Sequence, residues 1–508
     1  MKIRNCLFAG VAMATLLVPA AAETMLPQSK DPYFVSAQAE LATRLAQKPN
    51  TNKAKNIILL IGDGMGITTV TASRIYGGQK AGKDGVSNNL TMDTFPYLAL
   101  SRTYSADAQV TDSAPSASAM TTGVKSNNEM LGLTSAAVYK DCATEKPNVV
   151  TSIFETAEAK GLATGVVTTT RITHATPAST YAHSVNRDWE SDKDMGENAG
   201  KGCKDIADQL INWPAGDGFE VVLGGGRLKF LPDDVVDPEN DKKKGDRADK
   251  RNLIEEWTKK DNNHVFVMDK KGFDAVDVKS GAKMLGLFET SHMQYEADRA
   301  KDKGGEPTLA EMTGKAIDRL QQSDTGFILM VEGGRIDHAH HATNAARALE
   351  DTLAFDAAVK VALDKTNRDD TLIIVTADHS HTMTMSGYAK RDTPILGLVK
   401  EMDGKLTLAK DGKPYTTLGY ANGPSALFAG KEEGEAEPKP AGVRPDLTAI
   451  DTATTDYLQP SLVPLESETH GGEDVSIYAA GPMAHLFSGT VDQQYIYHVM
   501  MEASGLGK

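Results

Sequence analysis

The sequence predicts an α/β fold, with a mostly parallel central sheet carrying helices on both faces. Two observations predict it. Short apolar, β-branched runs stop abruptly at polar, glycine-rich sequence, and helical patterns lie between them. Runs that are apolar throughout suit strands buried on both faces, and strand–helix alternation is how parallel strands are joined.

Along the chain, residues 1–22 have the pattern of a secretory signal. Lys2 and Arg4 open it, Cys6 to Val18 is apolar, and Ala20-Ala21-Ala22 offers a cleavage site before Glu23. A short membrane anchor is the alternative, but the apolar run is brief for a span and no later segment approaches 18 consecutive apolar residues. Residues 23–55 form an arm, whose polar, Ala-rich amphipathic helix at 29–50 is a surface or partner element. Strands are expected at Asn56–Ile61 before Gly62-Asp63-Gly64, at Ala163–Thr168 before Thr169-Thr170-Arg171, and at Glu220–Leu223 before Gly224-Gly225-Gly226. Two more are expected at Gly326–Val331 before Glu332-Gly333-Gly334, and at Thr371–Thr376 before Ala377-Asp378-His379. Helical patterns cover Val149–Lys160, Ile206–Asn212, Thr308–Gln321 and Ala342–Lys365. The α/β core thus spans 56–389, with a charged, solvated loop at 232–251. Residues 390–455 lose the rhythm and read as a small inserted subdomain, including the low-complexity loop Lys431–Pro440; the core resumes over 456–508.

Composition narrows the function classes. Hydrophobic residues at 40% and charged residues at 24% exclude wholesale disorder. A net charge of −15, from 54 Lys+Arg against 69 Asp+Glu, argues against a general nucleic-acid binder, which would present a basic surface. It also argues against an anionic substrate unless something local reverses the field. Once the signal is removed, Cys142 and Cys203 remain of 3 cysteines. They form either one bridge or two buried thiols. An oxidising compartment favours the bridge, which closes a loop of about 60 residues and contributes roughly 4 kcal/mol.

Ligands of open α/β sheets bind beyond the carboxyl ends of the strands. Those ends carry Asp63, Glu332 and Asp378-His379, with Asp337 and His341 just beyond Glu332. A lone Asp after a strand is more often a cap or turn residue, but several strand ends supplying carboxylate or imidazole to one edge point to a metal centre. Asp337 and His341 are four residues apart, one helical turn, and can grip one ion. Mixed His/Asp/Glu ligation without Cys suits catalytic zinc, and carboxylates with hydroxyls suit magnesium. In Val110-Thr-Asp-Ser113-Ala-Pro115, Ser113 opens a run of small, helix-compatible residues. A nucleophile at a helix N-terminus faces free N–H groups that favour a phosphate or oxyanion. No Gly-x-Ser-x-Gly elbow surrounds it, which disfavours an α/β-hydrolase.

Gly62-Asp63-Gly-Met-Gly66, Thr111-Asp-Ser113-Ala, Glu332…Asp337…His341, Asp378-His379 and Thr469-His470-Gly-Gly-Glu473, in this order, resemble the alkaline phosphatase family. His174 through Arg187 and the Glu332–His341 segment look closer to its animal members than to the enteric bacterial one. The resemblance implies a homodimer that hydrolyses phosphate monoesters through a phosphoserine on Ser113. It implies one zinc on Asp337, His341 and His470, a second on Asp63, Asp378 and His379, and magnesium on Asp63, Thr176 and Glu332. Arg187 would clamp the phosphate, and His174, His338 and His381 would orient ligands or water from behind. The enteric bacterial form has Asp and Lys in the places of His174 and His338, a departure that bears on magnesium against zinc at the third site. A calcium site on Glu239, Glu289, Glu306 and the Phe288 carbonyl is a further implication. Glu306 stands where the family usually has Asp.

The expected partners are therefore small phosphomonoesters, with no specific nucleic-acid binding. The expected location is periplasmic or extracellular, without a membrane anchor, since Gly505-Leu-Gly-Lys508 provides no apolar tail. Rival readings are a phosphodiesterase or sulfatase on the same core, and a non-catalytic metal- or phosphate-binding protein. A sulfatase modification motif is absent, and an intact Ser113 argues against the non-catalytic reading. Divalent ions with Arg187 would also resolve the charge conflict by making an acidic protein's pocket electropositive.

Overall fold

The computed structural model describes residues 26–426 and 444–507; the signal segment and the Lys431–Pro440 loop lie outside them. The chain divides into two compact units, 1–48 and 49–508. In the first, a 3-10 turn Pro27–Lys30 leads into helix α1, Pro32–Ala46. Asp31 caps α1 by accepting from the Tyr33 and Phe34 amides, and Pro32 suits its first position. The helix ends short of the expected residue 50. Pro49 disfavours helical backbone at Lys48.

The second unit is built on a 10-stranded sheet. Its strands are β1 Asn56–Gly62, β2 Tyr97–Arg102, β3 Ala163–Arg171, β4 Val221–Gly225 and β5 His264–Val267. They continue with β6 Lys283–Leu287, β7 Phe327–Gly333, β8 Thr371–Ala377, β9 Val475–Ala480 and β10 Thr490–Asp492. The spatial order is β10-β2-β9-β8-β1-β7-β3-β4-β6-β5. Among the described residues, only β9 runs antiparallel to its neighbours in this sheet, so the mostly parallel sheet is as expected.

Successive residues of a strand point to opposite faces, and here both faces are buried. Ile57, Leu59 and Ile61 join Val166, Met330 and Ile374 in one apolar cluster. Ile58 and Leu60 join Val167, Leu329 and Val375 in the other. Helices α4 (Leu309–Leu320) and α6 (Ala345–Lys365) pack Met312, Ile317, Phe355 and Val359 onto the second face. Helix α3 (Ser113–Thr122) places Ala114 and Met120 on the first. Helix α2 is Ile67–Lys80, and α5 is Arg335–His341.

The expected helix over 342–365 begins only at Ala345. Thr343 adopts a left-handed backbone (φ 56°) and Asn344 caps α6 through the Arg347 amide, which separates α5 from α6. Beyond β8, short strands Met383–Met385, Leu418–Gly423 and Ser461–Pro464 form a small sheet. Ile395 and Leu396 pack there against Ile75 of α2 and Leu349 of α6. Cys142 and Cys203 are bridged, with Cα atoms 5.3 Å apart. Among the described residues no helix is long and apolar enough to cross a membrane.

Candidate metal centre and active site

The sheet register assembles the centre. Glu332 sits beside Ile61 of β1 and Thr168 of β3, and Gly62 sits beside Ala377 of β8. The next residues, Asp63 and Asp378, therefore leave adjacent strands at one edge. Gly64 adopts φ +66°, and a Cβ there would lie 2.3 Å from the His381 ring, so only glycine allows this approach. The Gly64 amide donates to Asp378 Oδ1 at 3.0 Å.

Ser113 opens α3 and is buried. Asp112 caps the helix through the Ala114 amide at 2.8 Å. The Ser113 hydroxyl lies 3.1 Å from His379 Nε2 and 3.4 Å from Asp63 Oδ1. Arg187 donates to Asp112 Oδ1 at 2.8 Å, which aims the guanidinium at the start of α3. The neighbouring acids hold its pKa above the ordinary arginine value despite burial.

The imidazoles share one pattern. Nδ1–H of His341 donates to the Glu468 carbonyl, that of His470 to Thr111 O at 2.8 Å, and that of His379 to Ser380 O at 3.2 Å. Such bonds fix the tautomer and leave Nε2 bare for an ion. His341 Nε2 and His470 Nε2 then stand 3.2 Å apart, both within 3.4 Å of Asp337 Oδ1. His379 Nε2 lies 3.3 Å from both Asp63 Oδ1 and Asp378 Oδ2. Within this centre, donor atoms of Asp337, His341, His381 and His470 lie close enough to share an ion, as do those of Asp63, Asp337 and His379.

Electrostatics make the same demand. Burial, then the neighbouring carboxylates, pushes Asp63 well above the ordinary range. Burial likewise raises Asp378 and lifts Glu332 to about 7. Asp63 Oδ2, Asp378 Oδ2, Glu332 Oε1 and Thr176 Oγ1 are buried without hydrogen-bond partners. Orphaned carboxylate and hydroxyl oxygens facing bare imidazoles are what divalent cations satisfy. Glu332 Oε2 is held by the Thr168 and Thr170 hydroxyls. His381 lies between Asp337 and Glu468; these bonds overcome burial and raise it to about 10.

His174 approaches Arg187 Nη2 at 3.2 Å, and His338 accepts from Arg335 Nη1 at 2.8 Å. Elsewhere, Glu239 and Glu289 converge with Asp302 beside a cavity of about 680 Å³. Glu306 does not join that group. It is buried, accepts from the Gln294 amide and is pushed to about 9 by burial and then Glu289. Asp112, Glu468, Asp302 and His292 also face these groups, although the sequence does not single them out. Asp112 and Glu468 flank Ser113 and His470 closely enough that their neighbours were a signal; the other two had none.

The alkaline phosphatase family model matches residues 54–506. The chain belongs to the alkaline phosphatase family. It is 43% identical over 507 residues to the tissue-nonspecific isozyme of Gallus gallus, covering 97% of this chain and 94% of the relative. It is 42% identical over 491 residues to the alkaline phosphatase of Gadus morhua, covering 95% and 98%. The Thermus thermophilus alkaline phosphatase structure aligns with a TM-score of 0.63 at 25% identity, covering 91% of this chain and 93% of that one. That of the Antarctic bacterium TAB5 aligns at 0.59 and 23% identity, over 90% and 99%, a likeness of fold. Alkaline phosphatase membership makes this chain a hydrolase of small phosphomonoesters and implies metal ions.

Proposed function

We propose that the chain hydrolyses phosphate monoesters at alkaline pH in two displacements, through a phosphoserine on Ser113. Asp337, His341 and His470 would hold one zinc, Asp63, Asp378 and His379 a second, and Asp63, Thr176 and Glu332 magnesium. The ions, when bound, supply Lewis-acid charge to the entering and leaving oxygens of an in-line displacement. The observation that carries this reading is the set of bare Nε2 atoms and orphaned carboxylate oxygens gathered around the Ser113 hydroxyl.

Arg187, fixed by Asp112, grips two phosphate oxygens in a fork that Lys cannot reproduce. The Ser113 oxygen gives up its proton and forms the new bond to phosphorus as the bond from phosphorus to the alcohol oxygen breaks, and the departing alkoxide takes a proton from water to leave as alcohol. Water then cleaves the serine ester and releases inorganic phosphate. His381 holds Asp337 in place, while His174 and His338 orient groups on the Arg187 side. Calcium would be held by Glu239, Glu289, Glu306 and the Phe288 carbonyl, and the convergence of Asp302 with Glu239 and Glu289 adds it as a further candidate ligand. Export to the periplasm or beyond rests on the signal pattern and the Cys142–Cys203 bridge, which suits an oxidising compartment. The homodimer rests on the family resemblance.

Elemental analysis with a monoester/diester rate ratio tests the assignment. Zinc and magnesium with strong monoester preference is the expected result; a metal-free enzyme of equal rate overturns it.

A further inference from the structure

Three imidazoles lie outside both ligand groups described above. His174 precedes the short helix Ala175–Ala178, His292 lies in the loop after β6, and His338 is on α5. Their ring centroids are 5.2 Å (174–292), 5.5 Å (174–338) and 4.1 Å (292–338) apart. One nitrogen from each lies within 4.8 Å of the other two. His174 Nδ1 is buried without a hydrogen-bond partner.

Three arginines surround the cluster. Arg171 meets His292 Nε2 at 2.6 Å, while Arg187 and Arg335 contact His174 and His338. Their charge is largely answered elsewhere: Arg171 is paired with Glu190, Arg187 with Asp112, and Arg335 lies 3.7 Å over the Tyr295 ring. A neutral imidazole offers a lone pair to an ion. Among the described residues, no acidic side chain joins the three-histidine group. A set of three imidazoles suits zinc, copper or nickel and is poor for magnesium or calcium.

We propose that His174, His292 and His338 form a tri-imidazole site for a divalent transition-metal ion, separate from the carboxylate-rich centre. His174 and His338 then act as ligands themselves. With arginines around it and no carboxylate, this site binds more weakly than the others and empties first under a chelator. The inference rests on these side chains and not on the hydrolytic reading.

The test uses full-length protein dialysed against buffered zinc, with metal counted per chain for wild type and His292→Ala. One fewer zinc in the variant, with the remaining ions retained, is the expected result; equal zinc content at every free-zinc level overturns the proposal. A second measurement needs no variant. In wild type, saturating zinc should protect His292 from diethyl pyrocarbonate, read by peptide mass. Equal labelling with and without zinc overturns the proposal, whatever happens to phosphomonoester hydrolysis.

Discussion

His341 Nε2 and His470 Nε2 stand 3.2 Å apart while the other nitrogen of each ring is committed to a backbone carbonyl. Two lone pairs so placed repel, and Asp337 Oδ1, within 3.4 Å of both, adds negative charge. A cation between them would convert that repulsion into ligation, as the proposed zinc on Asp337, His341 and His470 requires.

Chelation should therefore destabilise as well as inactivate. Binding to the folded state alone at about 1,000 times Kd contributes roughly 4 kcal/mol. Differential scanning calorimetry should show a fall in Tm of several degrees after EDTA, reversed by zinc and magnesium. An unchanged Tm would contradict the account of the buried acids.

Arg187→Lys should lower kcat/KM and weaken inhibition by inorganic phosphate while leaving zinc content unchanged. The loss should be roughly 10- to 100-fold, the worth of about one charge-assisted hydrogen bond at 1.5–3 kcal/mol. Steady-state kinetics with elemental analysis separates the two readouts. Loss of zinc with intact phosphate binding would refute the role.

Glu158 offers a pH test outside the centre. Burial raises its carboxyl to about 7, and the Thr164 hydroxyl donates to it at 2.6 Å. With the folded pKa above the unfolded value, its stabilising contribution is full below about 4.5 and is lost as pH rises through about 7. Wild type should lose about 1–3 kcal/mol more stability than Glu158→Gln between pH 5 and 8. Parallel unfolding profiles for the two proteins would exclude this carboxyl as the cause.

Central strands were legible because β1, β3, β7 and β8 are covered on both faces, so their apolar runs are continuous and their ends sharp. β2 and β10 are partly exposed, and β9 returns antiparallel at the end of the chain, so none carries that signal. The break between α5 and α6 was hidden because apolar periodicity does not report the left-handed Thr343. Asp63, Glu332 and Asp378 were readable as strand-end acids. His292 and Asp302 lie in loops, and only the tertiary fold brings them to their partners.

The most direct test of the hydrolytic account is acid quenching during turnover of a phosphate-labelled monoester, followed by peptide mapping. The account predicts label esterified to Ser113 in wild type, and neither label nor appreciable hydrolysis in Ser113→Ala. Hydrolysis at the wild-type rate by Ser113→Ala, or label on another residue, would contradict it.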